Sequence, residues 1–177
     1  MSFSYGTTVY GFVQLNSGYN AQSNWVLVSG TPNTAGAKYR VGSLVVNTSG
    51  NSFGTQNAVI KTFTLTIEKN SNITAIYYKV NGASSWSSTS SSTTVSFNYN
   101  TNIYWYATCA QGYETTYDSS SNYATISYAQ SDKIISPTAT GISRPVYIYA
   151  GSGISSVYLS SNSTATSGSA SGSSFEQ

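Results

Sequence analysis

The chain has 177 residues, of which only 7% are charged, and seven Lys and Arg against five Asp and Glu give a formal net charge of +2. Ordinary globular proteins carry about 25% charged residues, and the few basic residues here form no stripe, so nucleic acid is not expected as a partner. No stretch approaches the roughly 18 apolar residues that insertion into a membrane requires. Hydrophobic residues make up 39% and aromatic residues 14% of the chain, enough to build a core. Because charged residues are few, Ser, Thr, Asn and Gly must keep the chain soluble. This composition is typical of all-β extracellular or virion proteins.

Two strands are predicted at the start of the chain. Residues 9–15, VYGFVQL, favour a strand, and residues 25–28, WVLV, favour a second one. The turn residues SGYN lie between them. In the internal repeat described below, residues 25–28 are predicted to correspond to residues 123–128, YATISY. Residues 31–57 form a connector, in which residues 39–46 are apolar enough for an edge strand or a crossover.

The middle of the chain predicts one complete β-sandwich over residues 58–130. Its first strand, residues 61–69, alternates between apolar and polar side chains, which is the pattern of a half-buried strand. Further strands are predicted at residues 73–80, 94–99, 103–109 and 123–129. Residues 83–93 are dominated by Ser and Thr and predict a loop, or an irregular edge, around Trp86.

The end of the chain predicts a short linker or crossover strand at residues 133–137, then strands at residues 145–150 and 154–160, and then a tail rich in Ser, Gly and Ala. The first ten residues lack the charged and apolar regions of a signal peptide. We therefore expect either assembly in the cytoplasm or a leader that this sequence does not include.

The start of the chain repeats part of the central unit. Residues 2–19, SFSYGTTVYGFVQLNSGY, align without a gap with residues 96–113, SFNYNTNIYWYATCAQGY, at an offset of 94 (96 − 2). Seven of the 18 aligned positions are identical, where chance in this composition gives roughly one or two. The identical pairs are Ser2/Ser96, Phe3/Phe97, Tyr5/Tyr99, Thr7/Thr101, Tyr10/Tyr104, Gly18/Gly112 and Tyr19/Tyr113.

The end of the chain repeats the other part. Residues 144–159, RPVYIYAGSGISSVYL, align with residues 63–78, FTLTIEKNSNITAIYY, at an offset of 81 (144 − 63). The identical pairs are Ile148/Ile67, Ser152/Ser71, Ile154/Ile73 and Tyr158/Tyr77. The predicted order along the chain is a back half-unit (1–30), a connector (31–57), a complete unit (58–130) and a front half-unit (131–177).

The central unit also carries a recognisable series of motifs. Residues 78–82, YKVNG, precede a Ser/Thr-rich connection, and residues 101–107, TNIYWYA, are followed by Gly112 and Tyr113. This series resembles the small immunoglobulin-like modules related to the C-terminal domain of chitobiase, although residues 105 and 106 are bulkier here than in that pattern. The resemblance implies a spacer, binding or structural module rather than a catalyst. In composition the chain also resembles structural proteins of tailed phages, which use such modules in capsid decorations, fibres and tails.

Each terminal half-unit lacks strands, so by itself it would expose unpaired edges and apolar faces. We expect the C-terminal half of one subunit to complete a sandwich with the N-terminal half of another, in a heterologous contact that builds a filament or a ring. Pairing of the two halves within one chain, or an excerpt from a longer tandem array, would account for the same pattern. The residues predicted to carry assembly are Phe3, Val9, Tyr10, Phe12, Val146, Ile148, Val157 and Tyr158.

Other candidate sites are weaker. The chain has no histidine, which excludes Ser-His-Asp and Cys-His catalysis and His-ligated metals, and its single cysteine, Cys109, cannot form an intrachain disulfide. Its place on an alternating strand favours a small packed residue over a reactive thiol. Glu114 and Asp118 share a loop and are able to flank a sugar or hold calcium, but solvation is the simpler interpretation. We expect no catalytic residue, no cofactor and no metal.

Trp86 is a possible glycan contact, because an aromatic ring can stack on a sugar, but covering a sheet edge is the simpler role. The sequence predicts an all-β protein of immunoglobulin-like β-sandwich modules that is not an enzyme. Its predicted function is a self-associating structural subunit of a phage virion, in contact with other virion proteins. The alternatives are a bacterial or archaeal extracellular filament or adhesin subunit, and a carbohydrate-binding module.

Overall fold

The computed structural model of the chain describes residues 1–47, 50–149, 151–154 and 159. These residues contain strands and no helix, which confirms the all-β prediction, and none of them belongs to a helix able to cross a bilayer. Contacts divide the chain into two units, Met1–Gly141 and Ile142–Gln177. The strands all lie in the first unit: β1 (Thr8–Gln14), β2 (Tyr19–Asn20), β3 (Val26–Ser29), β4 (Lys38–Val45), β5 (Val59–Ile60), β6 (Thr62–Ile67), β7 (Ile73–Lys79), β8 (Ser87–Thr89), β9 (Thr93–Asn98), β10 (Thr101–Cys109), β11 (Tyr113–Glu114), β12 (Ala124–Ala129), β13 (Lys133–Ile135) and β14 (Thr140–Gly141).

Two facing sheets form a β-sandwich in the middle of the chain. One has the order β13-β6-β9 and the other the order β12-β10-β7-β8. Strands β6 and β9 pair as strands B and E do in an immunoglobulin domain, and β12, β10, β7 and β8 take the order of strands G, F, C and C′. The additional strand β13 pairs in parallel with the other edge of β6.

The core of the sandwich follows from the alternation along its strands. On β6, Leu65 and Ile67 are fully buried, while Thr62 and Thr64 face solvent. Full burial of such an apolar side chain stabilises the fold by about 1.5–3 kcal/mol. The buried cluster comprises Leu65, Ile67, Ile73, Ile76, Phe97, Ile103, Ala107, Ala129 and Ile135.

A smaller antiparallel sheet, β1-β4-β3, precedes the sandwich. Its inner face carries a second buried cluster, formed by Leu15, Trp25, Ala37 and Tyr39. Gly11 of β1 and Gly42 of β4 lie opposite each other, and the ring of Phe53 covers them on the inner face of the sheet. The ring is so close that a Cβ added at Gly11 would lie 3.0 Å from it. The N-terminal sheet therefore has a core of its own.

One extended segment joins this sheet to the sandwich. Strands β5 and β6 are separated only by Lys61, and β5 pairs with β2 whereas β6 pairs with β9. The Lys61 amide donates to the Gly18 carbonyl, and the Tyr99 amide donates to the Lys61 carbonyl, both at 2.8 Å. The Tyr99 ring lies directly over Gly18, and its hydroxyl is 2.9 Å from the Ser17 hydroxyl.

Two predictions differ from the structure, one in the place of a strand and one in the end of the sandwich. The segment predicted to be an edge strand or crossover forms β4, which lies between β1 and β3, since its apolar residues indicate a strand but not its neighbours. The segment predicted as a short linker or crossover strand contains the strand β13, whose Ile135 is buried in the core of the sandwich that was predicted to end at residue 130. In the residue before it, Asp132 Oδ1 accepts a hydrogen bond from the Thr64 amide at 2.8 Å. The sandwich therefore extends past residue 130.

The remaining strand predictions have mixed outcomes. The predictions that correspond to β1, β3, β6, β7, β9, β10 and β12 are confirmed. The short strands β2, β5, β11 and β14 were not predicted, because two residues are too few for alternation to register. Strand β8 lies at the edge of the four-stranded sheet, within residues 83–93, for which a loop or an irregular edge was predicted. A strand was predicted at residues 145–150, but residues 145–149 form none. The strand predicted at residues 154–160 falls mainly outside the described residues.

Candidate functional site

One edge of strand β1 is paired and the other is open. The Leu15 amide donates to the Ala37 carbonyl at 2.9 Å, on the side where β4 lies. Because successive N–H groups of a strand point to opposite edges, the amides of Gln14 and Asn16 point to the other side. Across residues 1–47 and 50–141, no strand pairs with that side of β1. Such an edge is the place where an additional strand can bind.

The same edge is filled in the complete sandwich. Strand β10, the repeat counterpart of β1, pairs with β12 on one side and with β7 on the other. The Asn100 amide donates to the Ala129 carbonyl in β12, and at the aligned position (100 − 94 = 6) the Gly6 amide donates to the Val46 carbonyl just after β4. Strand β4 therefore takes the place of β12, and the prediction that gave this place to residues 25–28 is wrong. The place of β7 beside β1 is open.

A cleft of about 350 Å³ lies at this open edge. The indole of Trp25 is 92% buried (8% exposed), and its Nε1 has no hydrogen-bond partner. A buried donor without an acceptor is destabilising by about 1–3 kcal/mol. The cleft is lined by Val13, Gln14, Leu15, Asn16, Tyr19, Trp25, Gln56, Asn57 and Ala58.

The assembly residues predicted near β1 lie in three environments. Tyr10 and Phe12 are exposed on the outer face of the sheet, where the guanidinium carbon of Arg40 lies 5.6 Å from the centre of the Tyr10 ring. Val9 is half-buried on the inner face, and Phe3 is exposed before the strand begins. The structure therefore brings apolar side chains to β1 without gathering these four into one patch.

The C-terminal unit exposes the donor residues that the sequence predicts. Val146 and Ile148 are both exposed, as are the neighbouring Tyr147 and Tyr149. Farther along, Ile154 and Leu159 are also exposed. The predicted residues Val157 and Tyr158 lie outside the described residues. This segment therefore presents apolar side chains on both of its faces.

The turn at residues 151–154 repeats the turn between β6 and β7. The Ile154 amide donates to the Gly151 carbonyl at 3.3 Å, and at the aligned positions the Ile73 amide donates to the Asn70 carbonyl at 3.3 Å. The residue before each isoleucine is left-handed, with φ of 83° at Gly153 and 63° at Asn72. Although the two segments share few letters, this turn has the same local structure in both.

Trp86 belongs to a cluster of aromatic side chains on the four-stranded sheet. Its ring centre is 4.8 Å from that of Tyr106 and 5.7 Å from that of Tyr123, with both pairs edge-to-face. Tyr106 stacks on Tyr77 at 4.5 Å, and the Lys79 ammonium lies 4.8 Å from the centre of the Trp86 ring. The glycan contact at Trp86 stays a prediction, and a sugar would have to displace Lys79 to use that face of the indole.

The surroundings of Cys109 favour a protonated thiol. Burial, followed by the negative charges of Asp118 and Glu114, raises the pKa of the half-buried Cys109 thiol. A thiol that stays protonated is a poor nucleophile. Asp118 accepts a hydrogen bond from the Asn122 amide group at 3.0 Å. Within the described part of the chain, no three acidic or cysteine side chains form a group that could hold a metal ion.

Sequence reasoning missed the cleft and the orphaned indole of Trp25. Residues 25–28 were assigned a strand and no further role. The repeat alignment nevertheless contained a signal, because residues 13–16 align with residues 107–110 at the edge of β10 that β7 covers. Residues 2–19 repeat residues 96–113, a stretch that begins after β7, so the N-terminal repeat includes no counterpart of β7 and residues 13–16 were candidates for an open edge.

Comparison of the chain with protein-family models, curated proteins and solved structures finds no match. Its function is therefore inferred from the open edge of β1, the cleft beside it and the exposed C-terminal segment.

Proposed function

We propose that this protein is a non-enzymatic structural subunit of a phage virion, in a capsid decoration, head fibre or tail, and that its subunits join by strand complementation. The observation that carries the proposal is the open edge of β1, at the place that β7 fills in the sandwich. The C-terminal segment aligns with β6 and β7, and its described residues, 144–149, 151–154 and 159, are exposed. Each subunit therefore offers one acceptor edge and one donor segment.

The size of the contact suits a specific association. A donor of 16 residues (144–159) approaches the roughly 20–30 residues that each partner contributes to a standard interface of about 800 Å² per partner. It would supply carbonyl acceptors for the Gln14 and Asn16 amides and cover the cleft. Donor and acceptor are different surfaces, so the contact is heterologous and builds an open filament or a closed ring.

The charge composition also favours association of copies. The chain carries seven positive and five negative side chains, with a net charge of +2. Repulsion between neighbouring subunits is therefore weak, since net charge far from zero is what keeps proteins apart. Association between such subunits depends mainly on main-chain hydrogen bonds and apolar burial, so we expect it to persist at high salt.

The virion setting rests on composition, because Ser, Thr, Asn and Tyr replace charge as the surface residues. Other virion proteins would then be further partners. An extracellular filament or adhesin subunit is the second candidate, since an open strand edge would also build a polymer on a cell surface. Peptide mass spectrometry of purified virions and of cell-surface fractions from the source culture separates the two settings.

Light scattering coupled to sizing tests the association itself. The wild-type mass is expected to rise with concentration above the 18.8 kDa of one chain. Gln14→Pro removes an amide on the open edge and is expected to abolish the rise, since Leu15 keeps its bond to Ala37. Gln14→Ala, which shortens the side chain but keeps the amide, is the control and should associate. A wild-type chain that stays monomeric up to millimolar concentration would overturn the proposal.

A further inference from the structure

We infer that Ile154 of a second copy of the chain is the side chain that fills the cleft beside Trp25. The donor strand then lies antiparallel to β1, with Ile154 opposite Leu15 and Leu159 opposite Gly11. This inference rests on the proposed function and adds to it the register of the two chains and the occupant of the cleft. Ile154 and Leu159 are 54% and 39% exposed, so both are available to a partner.

The register follows from the pairing inside the sandwich. Across β10 and β7, Cys109 lies opposite Ile73 and Trp105 lies opposite Tyr78. Shifting the β10 positions by the first repeat offset gives residues 15 and 11 (109 − 94 and 105 − 94). Shifting the β7 positions by the second gives residues 154 and 159 (73 + 81 and 78 + 81). The two repeats together therefore assign one register, without reference to the shape of the cleft.

The main chain supports the same register. In the sandwich, the Ala110 amide donates to the carbonyl of Asn72, the left-handed residue at the end of the turn. The aligned groups are the Asn16 amide, which points to the open edge of β1, and the carbonyl of Gly153. Because the turn at residues 151–154 already has the conformation of the turn at residues 70–73, the Gly153 carbonyl needs no refolding to serve as acceptor.

The cleft lies where the register needs it. Ile73, which lies opposite Cys109, is fully buried in the sandwich core. The corresponding position beside Leu15 is the cleft of about 350 Å³, many times the roughly 30 Å³ that a water molecule occupies in the liquid. Val13, Leu15, Trp25 and Ala58 form an apolar part of its lining, against which an isoleucine side chain can pack.

Three full-length variants test the inference. Ile154→Asp places a charge where the cleft is apolar and is expected to weaken self-association about thirtyfold or more, as loss of a central interface residue does. Tyr149→Asp is the matched control, because Tyr149 is 76% exposed and aligns with the exposed Glu68 (149 − 81), so it should associate like the wild type. Gln14→Pro, described above, disables the acceptor edge and leaves the donor intact.

Mixing supplies the decisive measurement. Ile154→Asp has an intact acceptor edge and Gln14→Pro has an intact donor, so together they should form one complex of twice the 18.8 kDa chain mass and nothing larger. In that complex, the Trp25 indole signal of ¹⁵N-labelled Ile154→Asp, assigned with a Trp25→Phe variant, should shift because Ile154 of the partner chain packs into the cleft that Trp25 lines. Retention of the wild-type circular dichroism spectrum by each variant shows that it is folded.

The outcomes separate the two proposals. A wild-type chain that associates while Ile154→Asp associates equally well would overturn the register and leave strand complementation standing. Heterodimers that form without a shift of the Trp25 signal would also overturn the assignment of the cleft. A monomeric wild type, including one whose own segment occupies its own cleft, would overturn both.

Discussion

Replacing Gly18 by alanine is expected to destabilise the chain more than the same change at its repeat counterpart, Gly112. The two glycines have nearly the same conformation, with φ of +83° and +85°. A left-handed alanine costs about 1–2 kcal/mol at either position. At Gly112 an added Cβ has no heavy atom within 4 Å, so no further penalty is expected there.

At Gly18 the added Cβ would lie 2.1 Å from Cδ1 of Tyr99, so the ring has to move. Tyr99 would then lose its hydroxyl contact with Ser17 at 2.9 Å and its ring contact with Phe63 at 6.5 Å. A hydrogen bond contributes about 0.5–1.5 kcal/mol and an aromatic pair a similar amount. The total expected for Gly18→Ala is therefore about 2–5 kcal/mol, against about 1–2 kcal/mol for Gly112→Ala.

Urea unfolding followed by tryptophan fluorescence and circular dichroism measures both variants. The difference between them isolates the clash with Tyr99, because the conformational term is common to both. In the double variant Gly18→Ala with Tyr99→Ala, the second change should cost much less than Tyr99→Ala costs alone. Equal free energies of unfolding for the two glycine variants would refute the reasoning and show that Tyr99 moves aside freely.

Three further predictions concern the sandwich. Leu65→Ala should lower the free energy of unfolding by about 2–5 kcal/mol in the same assay, because Leu65 is fully buried; Thr64→Ala, on the solvent side of the same strand, should cost far less. Burial raises the pKa of Tyr106 and of Cys109 above their ordinary values of 10.0 and 9.0. The stability that the two protonated side chains contribute should therefore be complete below about pH 9 and lost as pH rises through the folded pKa values. Cys109→Ser should remove part of this loss, and an unchanged dependence of unfolding free energy on alkaline pH would contradict the prediction. Trp86→Ala should cost about 1–2 kcal/mol through its two ring contacts and the Lys79 cation, and a glycan array probed with both proteins shows whether any sugar signal depends on that ring.

The strands of the sandwich were predictable because their signal is local. Side chains alternate along β6, and Asn-Gly at residues 81–82 marks the turn after β7, where both residues have positive φ. By contrast, the neighbours of β4 and β13 depend on contacts far apart in the chain, such as the bond between Thr64 and Asp132. Propensity indicates that a segment is extended, but it does not indicate which edge the segment covers.

The candidate site was predictable only in part for a related reason. The repeats predict that β1 and the C-terminal segment are complementary, and the structure places Tyr10 and Phe12 of β1 at the surface. The cleft beside Trp25 becomes visible only when the neighbours of β1 are known. The aromatic cluster around Trp86 was not predicted because Tyr106, which contacts its ring, is twenty residues away (106 − 86) on another strand.

The parallel pairing of β13 with β6 sets an order of events on the ribosome. Strands β1 and β4 are complete once residue 46 has been made, whereas the sandwich cannot close until Ile135 has emerged to pair beside Ile67. Residues 144–159 follow later still, at a synthesis rate of roughly 5–20 residues per second. If the subunits join as proposed, a nascent chain has its acceptor edge before it has a donor segment. On a polysome, its first available donor is the end of a chain already finished, so growth by strand complementation would run from released subunits towards those still being translated.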